Sequence, residues 1–152
     1  MNIRAFVFDE DPQIRSLLER VLREQGYEVF TFSNPSLCPL YETHQCICPL
    51  NHACSDIVIT DLKMPMISGL DFVKSQKDKG CKIQNVALMS STWSVEDAKA
   101  AEQLGCRLFT KPFSLAEIKA WLRDCEKRTD PHRELADWWI KKTTCNQETT
   151  TS

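Results

Sequence analysis

Five short apolar runs recur along the chain, and most of them are followed by a segment with helical periodicity or a helix-capping residue. The runs are rich in β-branched and aromatic residues, which is typical of strands covered on both faces of a sheet. They are predicted at 3–8, 27–32, 56–60, 86–89 and 107–110. Parallel neighbours need crossover connections, and these are right-handed. The alternation therefore predicts an α/β protein with helices on both faces of a five-stranded parallel sheet.

The helices have recognisable start and stop signals. The first is predicted to begin at Pro12, a residue favoured at the first helical position, and to end at Gly26. Its apolar residues recur at spacings of three and four, whereas its charged residues, Arg15 among them, face away from that stripe. A serine followed by an acid three positions later opens the last two helices. The later helices are predicted over 70–76, from Ser94 to Gly105, and from Ser114 onward.

Residues 33–55 interrupt the alternation, because the second crossover helix expected there would contain three prolines. Four of the eight cysteines also fall in this segment: Cys38, Cys46, Cys48 and Cys54. Four thiolates can close a tetrahedral zinc site that stabilises a segment without its own core, and His44 or His52 could replace one of them. An iron–sulfur cluster and redox-active or unliganded thiols remain alternatives.

The composition bounds the class of protein. With 42% apolar and 26% charged residues, the 152-residue chain is predicted to be globular, with one domain over 1–126. An extension over 127–152 is expected to form a short helix bearing Leu135, Trp138 and Trp139, and then a disordered polar tail.

Charge and hydropathy exclude two kinds of partner. Nineteen basic and twenty-one acidic side chains give a net charge of -2, too balanced for the broad basic surface of a dedicated nucleic-acid binder. No run approaches eighteen apolar residues, and the first twenty residues lack the pattern of a signal peptide. We therefore expect a cytoplasmic protein with no nucleic-acid partner and no membrane partner.

Polar residues follow the predicted strands at their carboxyl ends. Asp9 and Glu10 follow the first strand, Asp61 the third, Ser90 the fourth and Lys111 the fifth. In open parallel sheets the ligand site lies beyond these ends. Two carboxylates about 4 Å apart repel by roughly 4 kcal/mol at an effective dielectric constant of 20, so such a cluster must be protonated, hydrated or neutralised by a cation. Magnesium suits all-oxygen ligation and commonly works beside a phosphate, which indicates phosphoryl chemistry.

The same residues form the motifs of a known family. These motifs are Asp9-Glu10, the run Asp61-Leu62-Lys63-Met64-Pro65-Met66-Ile67-Ser68-Gly69, Ser90, and Lys111-Pro112-Phe113. Over residues 2–126 the chain resembles the receiver domain of two-component response regulators. The resemblance implies a single, doubly wound flavodoxin-like domain with strand order 2-1-3-4-5.

The resemblance also implies roles for the site residues. Asp61 would accept a phosphoryl group from a sensor histidine kinase or phosphotransfer protein. Magnesium would be held by Asp9, Glu10, Asp61 and the backbone carbonyl of Lys63. Ser90 and Lys111 would bind the phosphoryl oxygens. The chain would then have no independent enzyme activity beyond self-phosphorylation from a phosphodonor and slow autodephosphorylation.

Further expectations concern output. Only 26 residues follow position 126, so the output is expected to be docking to another, unknown protein. The surface implied is formed by the helix from Ser94, the strand 107–110 and the helix from Ser114, together with Trp138 and Trp139.

Leu108 departs from the family, which commonly has Tyr or Phe there. In the family the positions of Lys63 and Thr92 tune phosphoryl hydrolysis, and the bond before Pro112 is cis.

Two alternative functions are compatible with parts of the sequence. Asp9 and Asp11 form the Asp-x-Asp pattern of haloacid-dehalogenase-type phosphatases, although this interpretation leaves Asp61 without a role. A metal or redox sensor built on the cysteine segment is the other alternative, in which loss of metal or oxidation of thiols would control the receiver.

Overall fold

The computed structural model describes residues 2–34, 52–64 and 66–135. In these ranges the elements are, in chain order, β1 (Arg4–Phe8), α1 (Pro12–Glu24), β2 (Glu28–Phe32), β3 (His52–Ala53), β4 (Ile57–Asp61), α2 (Gly69–Asp78), β5 (Asn85–Ser90), α3 (Val95–Gln103), β6 (Arg107–Thr110), α4 (Leu115–Arg128) and β7 (Glu134–Leu135). None of the helices within the described ranges has the length and apolar character needed to cross a lipid bilayer.

Five of the strands form one parallel sheet in the order β2-β1-β4-β5-β6. Counting only these five, the order is 2-1-3-4-5, which confirms the predicted doubly wound fold. Strand β1 lies inside the sheet, where it pairs with β2 on one side and with β4 on the other, and all five of its residues are buried. This explains why β1 is apolar on four successive positions, from Ala5 to Phe8, rather than on alternate ones.

Helices cover the sheet on both faces. Alternate side chains of β1 point to opposite faces, so Ala5 and Val7 enter one core and Phe6 and Phe8 the other. The first core is closed by α1 and α4 through Leu18, Leu22, Ile118 and Leu122. The second is closed by α2 and α3 through Phe72, Val73 and Ala101. The acidic residues at the carboxyl ends of the strands thereby lie at the rim between two apolar layers.

The helix ends follow the predicted signals. Pro12 lies in the first turn of α1, and Gly26, with a φ of 86°, follows its C-cap. The Ser94 hydroxyl accepts a hydrogen bond from the backbone N–H of Asp97 at 3.0 Å, and the Ser114 hydroxyl accepts one from Ala116 at 3.1 Å. Both serines are therefore N-caps, as the sequence predicts.

A second, small parallel sheet joins β3 to β7, pairing His52 with Glu134 and Ala53 with Leu135. The predicted helix bearing Leu135 is therefore wrong at that residue. Asp130 starts a turn instead of a helix, because its side chain accepts from the backbone N–H of His132 and its carbonyl from that of Arg133. Trp138, Trp139 and the polar tail lie outside the described residues, as do Cys38, His44, Cys46 and Cys48.

Candidate functional site

Three of the predicted site residues meet at the carboxyl edge of the sheet. The Lys111 ammonium lies 3.0 Å from Oδ2 of Asp9 and 3.4 Å from Oδ2 of Asp61. Asp9 follows β1 and Asp61 ends the adjacent strand β4, whereas Lys111 follows β6, so the long lysine side chain reaches back across β5. The site therefore contains two carboxylates bridged by one cation.

Asp9 is the most enclosed of the three, with a side chain that is 1% exposed. Its backbone N–H donates to the carbonyl of Phe32 at 3.1 Å, which extends the β1–β2 pairing by one residue. Its Oδ1 accepts from the backbone N–H of Asp11 at 2.8 Å, while Oδ2 accepts from Lys111. Both carboxylate oxygens are thus held in fixed directions.

The pKa of the Asp61 carboxyl is raised above its ordinary value of 3.8, first by burial and then by the charge of Asp9. Lys111 and the backbone N–H of Lys63 act in the opposite direction, but they do not cancel the rise in pKa. The single ammonium does not fully compensate the two carboxylates. The site consequently favours an additional positive charge, either a proton or a metal cation.

A glycine allows the loop after Asp61 to return directly to the strand end. Gly69 is the first residue of α2, and a Cβ at this position would lie 2.2 Å from the backbone carbonyl oxygen of Asp61. The Gly69 N–H donates to the carbonyl of Leu62 at 2.8 Å, and the Leu62 N–H donates to that of Met89 at 2.7 Å. The last glycine of the 61–69 motif is therefore required by close backbone packing.

Ser90 ends β5 at the same edge, but its hydroxyl is engaged within its own loop. It donates to the carbonyl of Thr92 at 2.9 Å and accepts from the N–H of Thr92 at 3.1 Å. The Lys63 ammonium donates to the Thr92 hydroxyl at 3.1 Å, which bridges the loops after β4 and β5. Thr92 is the residue through which Ser90 and Lys63 are connected.

Glu10 and Asp11 do not join the cluster formed by Asp9, Asp61 and Lys111. Glu10 is exposed, and its carboxylate makes no hydrogen bond or ion pair with another described residue. Asp11 is the N-cap of α1, where its side chain accepts from the N–H of Gln13 at 2.9 Å. The capping role of Asp11 removes the second acid of the haloacid-dehalogenase pattern from the site.

Strand β6 contains a leucine and lies next to a tryptophan and a cis peptide bond. Leu108, at the position where the resemblance implies an aromatic residue, is half-buried against the second core. Trp93 packs against the same core, and its indole N–H donates to the carbonyl of Phe109 at 3.1 Å. Trp93 is therefore a packing residue in this structure. The bond between Lys111 and Pro112 is cis, as the resemblance implies.

The sequence interpretation missed the role of Arg15. This residue lies off the apolar stripe of α1, as predicted, but its guanidinium turns back to the acidic turn rather than only to solvent. Its Nη1 donates to the backbone carbonyls of Asp9 at 2.7 Å and Glu10 at 3.1 Å. The sequence does contain one signal for this contact: Arg15 lies in the first turn of the helix that follows the acidic pair Asp9-Glu10.

The residues present fit a magnesium ion better than a closed metal cage. Among the described residues, no three His, Cys, Asp or Glu side chains group closely enough to bind a metal on their own. Magnesium, however, is commonly bound by one or two carboxylates, with water and phosphate oxygens completing its shell. Asp9 and Asp61 meet that requirement. Of the four clustered cysteines only Cys54 is described, and its side chain is buried.

The fold and the site define a doubly wound α/β protein whose acidic site lies at the carboxyl edge of a parallel sheet. Residues 5–123 match the family model described as the response regulator receiver domain. The chain belongs to this family, which confirms the resemblance based on its motifs.

Relatives of this chain include both short and long proteins. Sporulation initiation phosphotransferase F of Bacillus subtilis is 27% identical over 120 residues, which cover 78% of this chain and 90% of that protein. The sensory/regulatory protein RpfC of Xanthomonas campestris is 29% identical over 139 residues. That match covers 89% of this chain but only 18% of the longer relative.

Solved structures show the same fold. The chemotaxis protein CheY4 of Vibrio cholerae superimposes with a TM-score of 0.65 at 21% identity, covering 82% of this chain and 99% of that one. A response regulator receiver protein from Pseudomonas putida gives a TM-score of 0.68 at 22% identity, covering 82% and 98% of the two chains.

Proposed function

We propose that this receiver is controlled by phosphorylation of Asp61, with a sensor histidine kinase or a phosphotransfer protein as the donor. The observation that supports this most directly is the Lys111 ammonium, which lies within 3.4 Å of Asp61 and 3.0 Å of Asp9. Its position beside the acceptor carboxylate lets it offset the charge of an incoming phosphoryl group.

In the proposed step, an Asp61 carboxylate oxygen attacks the phosphorus of a phosphohistidine. The P–O bond forms as the P–N bond breaks, and the imidazole leaves with the electron pair and takes up a proton. Magnesium would be held by Asp9, Glu10, Asp61 and the carbonyl of Lys63, and it would neutralise charge on the phosphoryl oxygens. Little covalent chemistry is required from the protein, so Asp9 and Lys111 act mainly by positioning and charge.

We propose that the loop after β5 responds to this modification. Phosphorylation adds about 1.5 to 2 negative charges and three strong acceptor oxygens to Asp61. The Ser90 hydroxyl now donates to the carbonyl of Thr92, and it would exchange that acceptor for a phosphoryl oxygen. Because the same threonine accepts from Lys63, the exchange would also disturb the bridge between the two loops.

The test is intact-mass measurement after incubation with acetyl phosphate and magnesium. The wild-type chain should gain the mass of one phosphoryl group, whereas Asp61→Asn should gain none. Asp11→Asn is the matched control, since it alters a neighbouring acid that caps α1 and should leave phosphorylation intact. A phosphorylated Asp61→Asn variant would exclude Asp61 as the acceptor.

The position of Asp11 also bears on the phosphatase alternative. A haloacid-dehalogenase mechanism needs Asp9 as nucleophile and Asp11 as acid, whereas Asp11 is exposed and caps α1. That alternative gains no support from the family match over residues 5–123. Hydrolysis of p-nitrophenyl phosphate that survives Asp61→Ala and disappears with Asp9→Ala would restore it.

We also propose that the cysteine segment binds zinc through Cys38, Cys46, Cys48 and Cys54. The support is the clustering of four cysteines within 17 residues of a proline-containing crossover. Native mass spectrometry of the reduced chain should show one zinc ion, which is lost in a Cys38→Ser, Cys46→Ser double variant. A metal-free chain with an unchanged fold would overturn the zinc site and the metal-sensor alternative.

We propose a cytoplasmic receiver whose output is docking to another protein through α3, β6 and α4, without nucleic acid or membrane as partner. The balanced net charge of -2 supports the absence of a nucleic-acid role. Cross-linking in the presence and absence of beryllofluoride should reveal a partner that contacts these three elements.

A further inference from the structure

The acidic turn after β1, which contains Asp9 and Glu10, accepts hydrogen bonds from an arginine of α1. Arg15 lies in the first part of this helix and is half-buried. A single guanidinium nitrogen, Nη1, donates to the carbonyl oxygens of both Asp9 and Glu10, at 2.7 and 3.1 Å. Two consecutive peptide groups are therefore fixed by one side chain.

The contact with Arg15 should affect the orientation of Glu10 more than that of Asp9, because Asp9 has other hydrogen bonds. The carboxylate of Asp9 is held by Lys111 and by the backbone N–H of Asp11. The carboxylate of Glu10 has no hydrogen bond or ion pair with another described residue. The direction in which Glu10 leaves the backbone is consequently set by its own peptide group, which Arg15 holds.

We propose that Arg15 is a positioning residue for magnesium binding, which rests on the proposed function of this site. By accepting hydrogen bonds from Arg15, the carbonyls of Asp9 and Glu10 fix the backbone of the turn from which these two carboxylates would bind a cation. Residues that orient metal ligands through hydrogen bonds commonly affect metal affinity by tenfold or more when they are lost.

Charge and positioning predict opposite results for this residue. A guanidinium near a cation site repels the cation, so removal of its charge alone would strengthen magnesium binding. Loss of the two hydrogen bonds would instead loosen the turn and weaken binding. The sign of the change in affinity therefore separates the two effects, and positioning requires weaker binding.

The experiment is a titration of the whole chain with magnesium alone, followed by the backbone amide NMR shifts of Asp9, Glu10 and Asp61. Arg15→Ala should raise the magnesium dissociation constant by about tenfold. Arg15→Lys, which retains a donor and the charge, should recover part of the affinity. If Arg15→Ala does not fold, Arg15→Lys is compared directly with wild type and should still bind more weakly.

Arg23→Ala is the matched control. Arg23 lies on the same helix and also donates to a backbone carbonyl, that of Val29 at 3.1 Å, but it does not contact the acidic turn. It should change the dissociation constant less than twofold. Equal or tighter magnesium binding by Arg15→Ala, or an equal loss in Arg23→Ala, would overturn the role of Arg15 alone. A wild-type chain that does not respond to magnesium would overturn the proposed function as well.

Discussion

At the scale of single residues, Asp61 combines a functional position with an unfavourable environment. Burial and the charge of Asp9 raise the pKa of its carboxyl, and Lys111 only partly opposes them. The ionised Asp61 carboxylate is therefore less stable in the folded chain than it would be in water. A raised pKa of this kind is typical of carboxylates at functional sites, and it is expected of one that binds a cation and a phosphoryl group.

The raised pKa of Asp61 predicts a pH-dependent gain in stability for Asp61→Asn. An acid whose pKa is higher in the folded than in the unfolded chain destabilises the fold on ionisation. The destabilisation is absent below the ordinary pKa of 3.8 and complete above the folded pKa. In magnesium-free buffer, thermal denaturation should show the variant melting a few degrees above wild type at pH 7, with the gap narrowing toward pH 4.

Asp78→Asn controls for the change in net charge in that experiment, since Asp78 is exposed at the end of α2. Addition of magnesium should raise the melting temperature of wild type more than that of Asp61→Asn, because a cation that binds only the folded state stabilises it. If Asp61→Asn is less stable than wild type at pH 7 and equally stable at pH 4, the raised pKa of the Asp61 carboxyl is contradicted.

Gly69→Ala should destabilise the fold by about 1–3 kcal/mol, as overpacking of a fixed backbone contact does. The added Cβ would lie 2.2 Å from the carbonyl oxygen of Asp61, so α2 or the end of β4 must move. Urea denaturation measures the loss. We also expect slower phosphorylation by acetyl phosphate, since the displaced carbonyl belongs to the acceptor residue.

Gly105→Ala is the control for Gly69→Ala. Gly105 has a φ of 78° and open space around its Cα, so its substitution strains the backbone without a clash. It should also lower stability, by about 1–2 kcal/mol, but it should leave the rate of phosphorylation unchanged. Equal effects of both variants on phosphorylation would mean that the response follows stability rather than the contact with Asp61.

At the scale of elements, the amino ends of the strands contain a polar network that has no counterpart in the sequence patterns. Asp56, just before β4, accepts from the backbone N–H of Arg4 at 3.0 Å and from Nε of Arg133 at 2.8 Å. A second nitrogen of Arg133 pairs with the other oxygen of Asp56. The segment after α4 is thereby attached to the strand that ends in Asp61.

Arg133→Ala should destabilise the fold by about 3 kcal/mol, because it leaves the carboxylate of Asp56 buried without its cation. Hydrogen exchange at Glu134 and Leu135 should accelerate, since their pairing with His52 and Ala53 depends on the turn that Arg133 ends. The exposed pair of Arg23 with Glu19 offers a comparison, as Glu19→Ala should cost less than about 0.5 kcal/mol. Unchanged exchange in β7 would show that β3 alone positions it.

The elements also show which parts of the fold were predictable. The strand 107–110 was predicted at its observed bounds, whereas β4 was predicted one residue too early. Asp56 was included in the predicted strand because its ion-pair partner, Arg133, lies 77 residues later in the sequence. No local pattern shows that this aspartate is buried and paired just before the strand begins. The cluster of Asp9, Asp61 and Lys111 was predictable because strand ends in a parallel sheet must share one edge.

Other features depend on contacts that leave no local pattern. Leu135 was predicted to be helical from Asp130 and Pro131, but pairing with β3 decides its conformation. The hold of Arg15 on the acidic turn depends on how α1 docks against β1. Ser90 was predicted to bind the phosphoryl oxygens, and the hydrogen bond that its hydroxyl donates to the carbonyl of Thr92 in this structure leaves no local sequence pattern.

At the scale of the whole molecule, the sheet separates two polar regions. The cluster of Asp9, Asp61 and Lys111 lies at the carboxyl ends of the strands, and the network of Asp56 and Arg133 lies at their amino ends. The five residues of β4 span roughly 15 Å between them. Between the two regions, Ile57 and Ile59 of β4 pack into the first core and Val58 packs into the second.

This separation predicts that the two regions contribute independently to stability. In chemical denaturation, the changes in the free energy of unfolding caused by Asp9→Asn and by Arg133→Ala should add within about 0.5 kcal/mol in the double variant, because distant sites without shared partners are additive. Asp9→Asn combined with Lys111→Ala is the positive control, since these groups are 3.0 Å apart and should not be additive. A coupling above about 1 kcal/mol between Asp9 and Arg133 would mean that the acceptor site communicates through the sheet with the segment after α4.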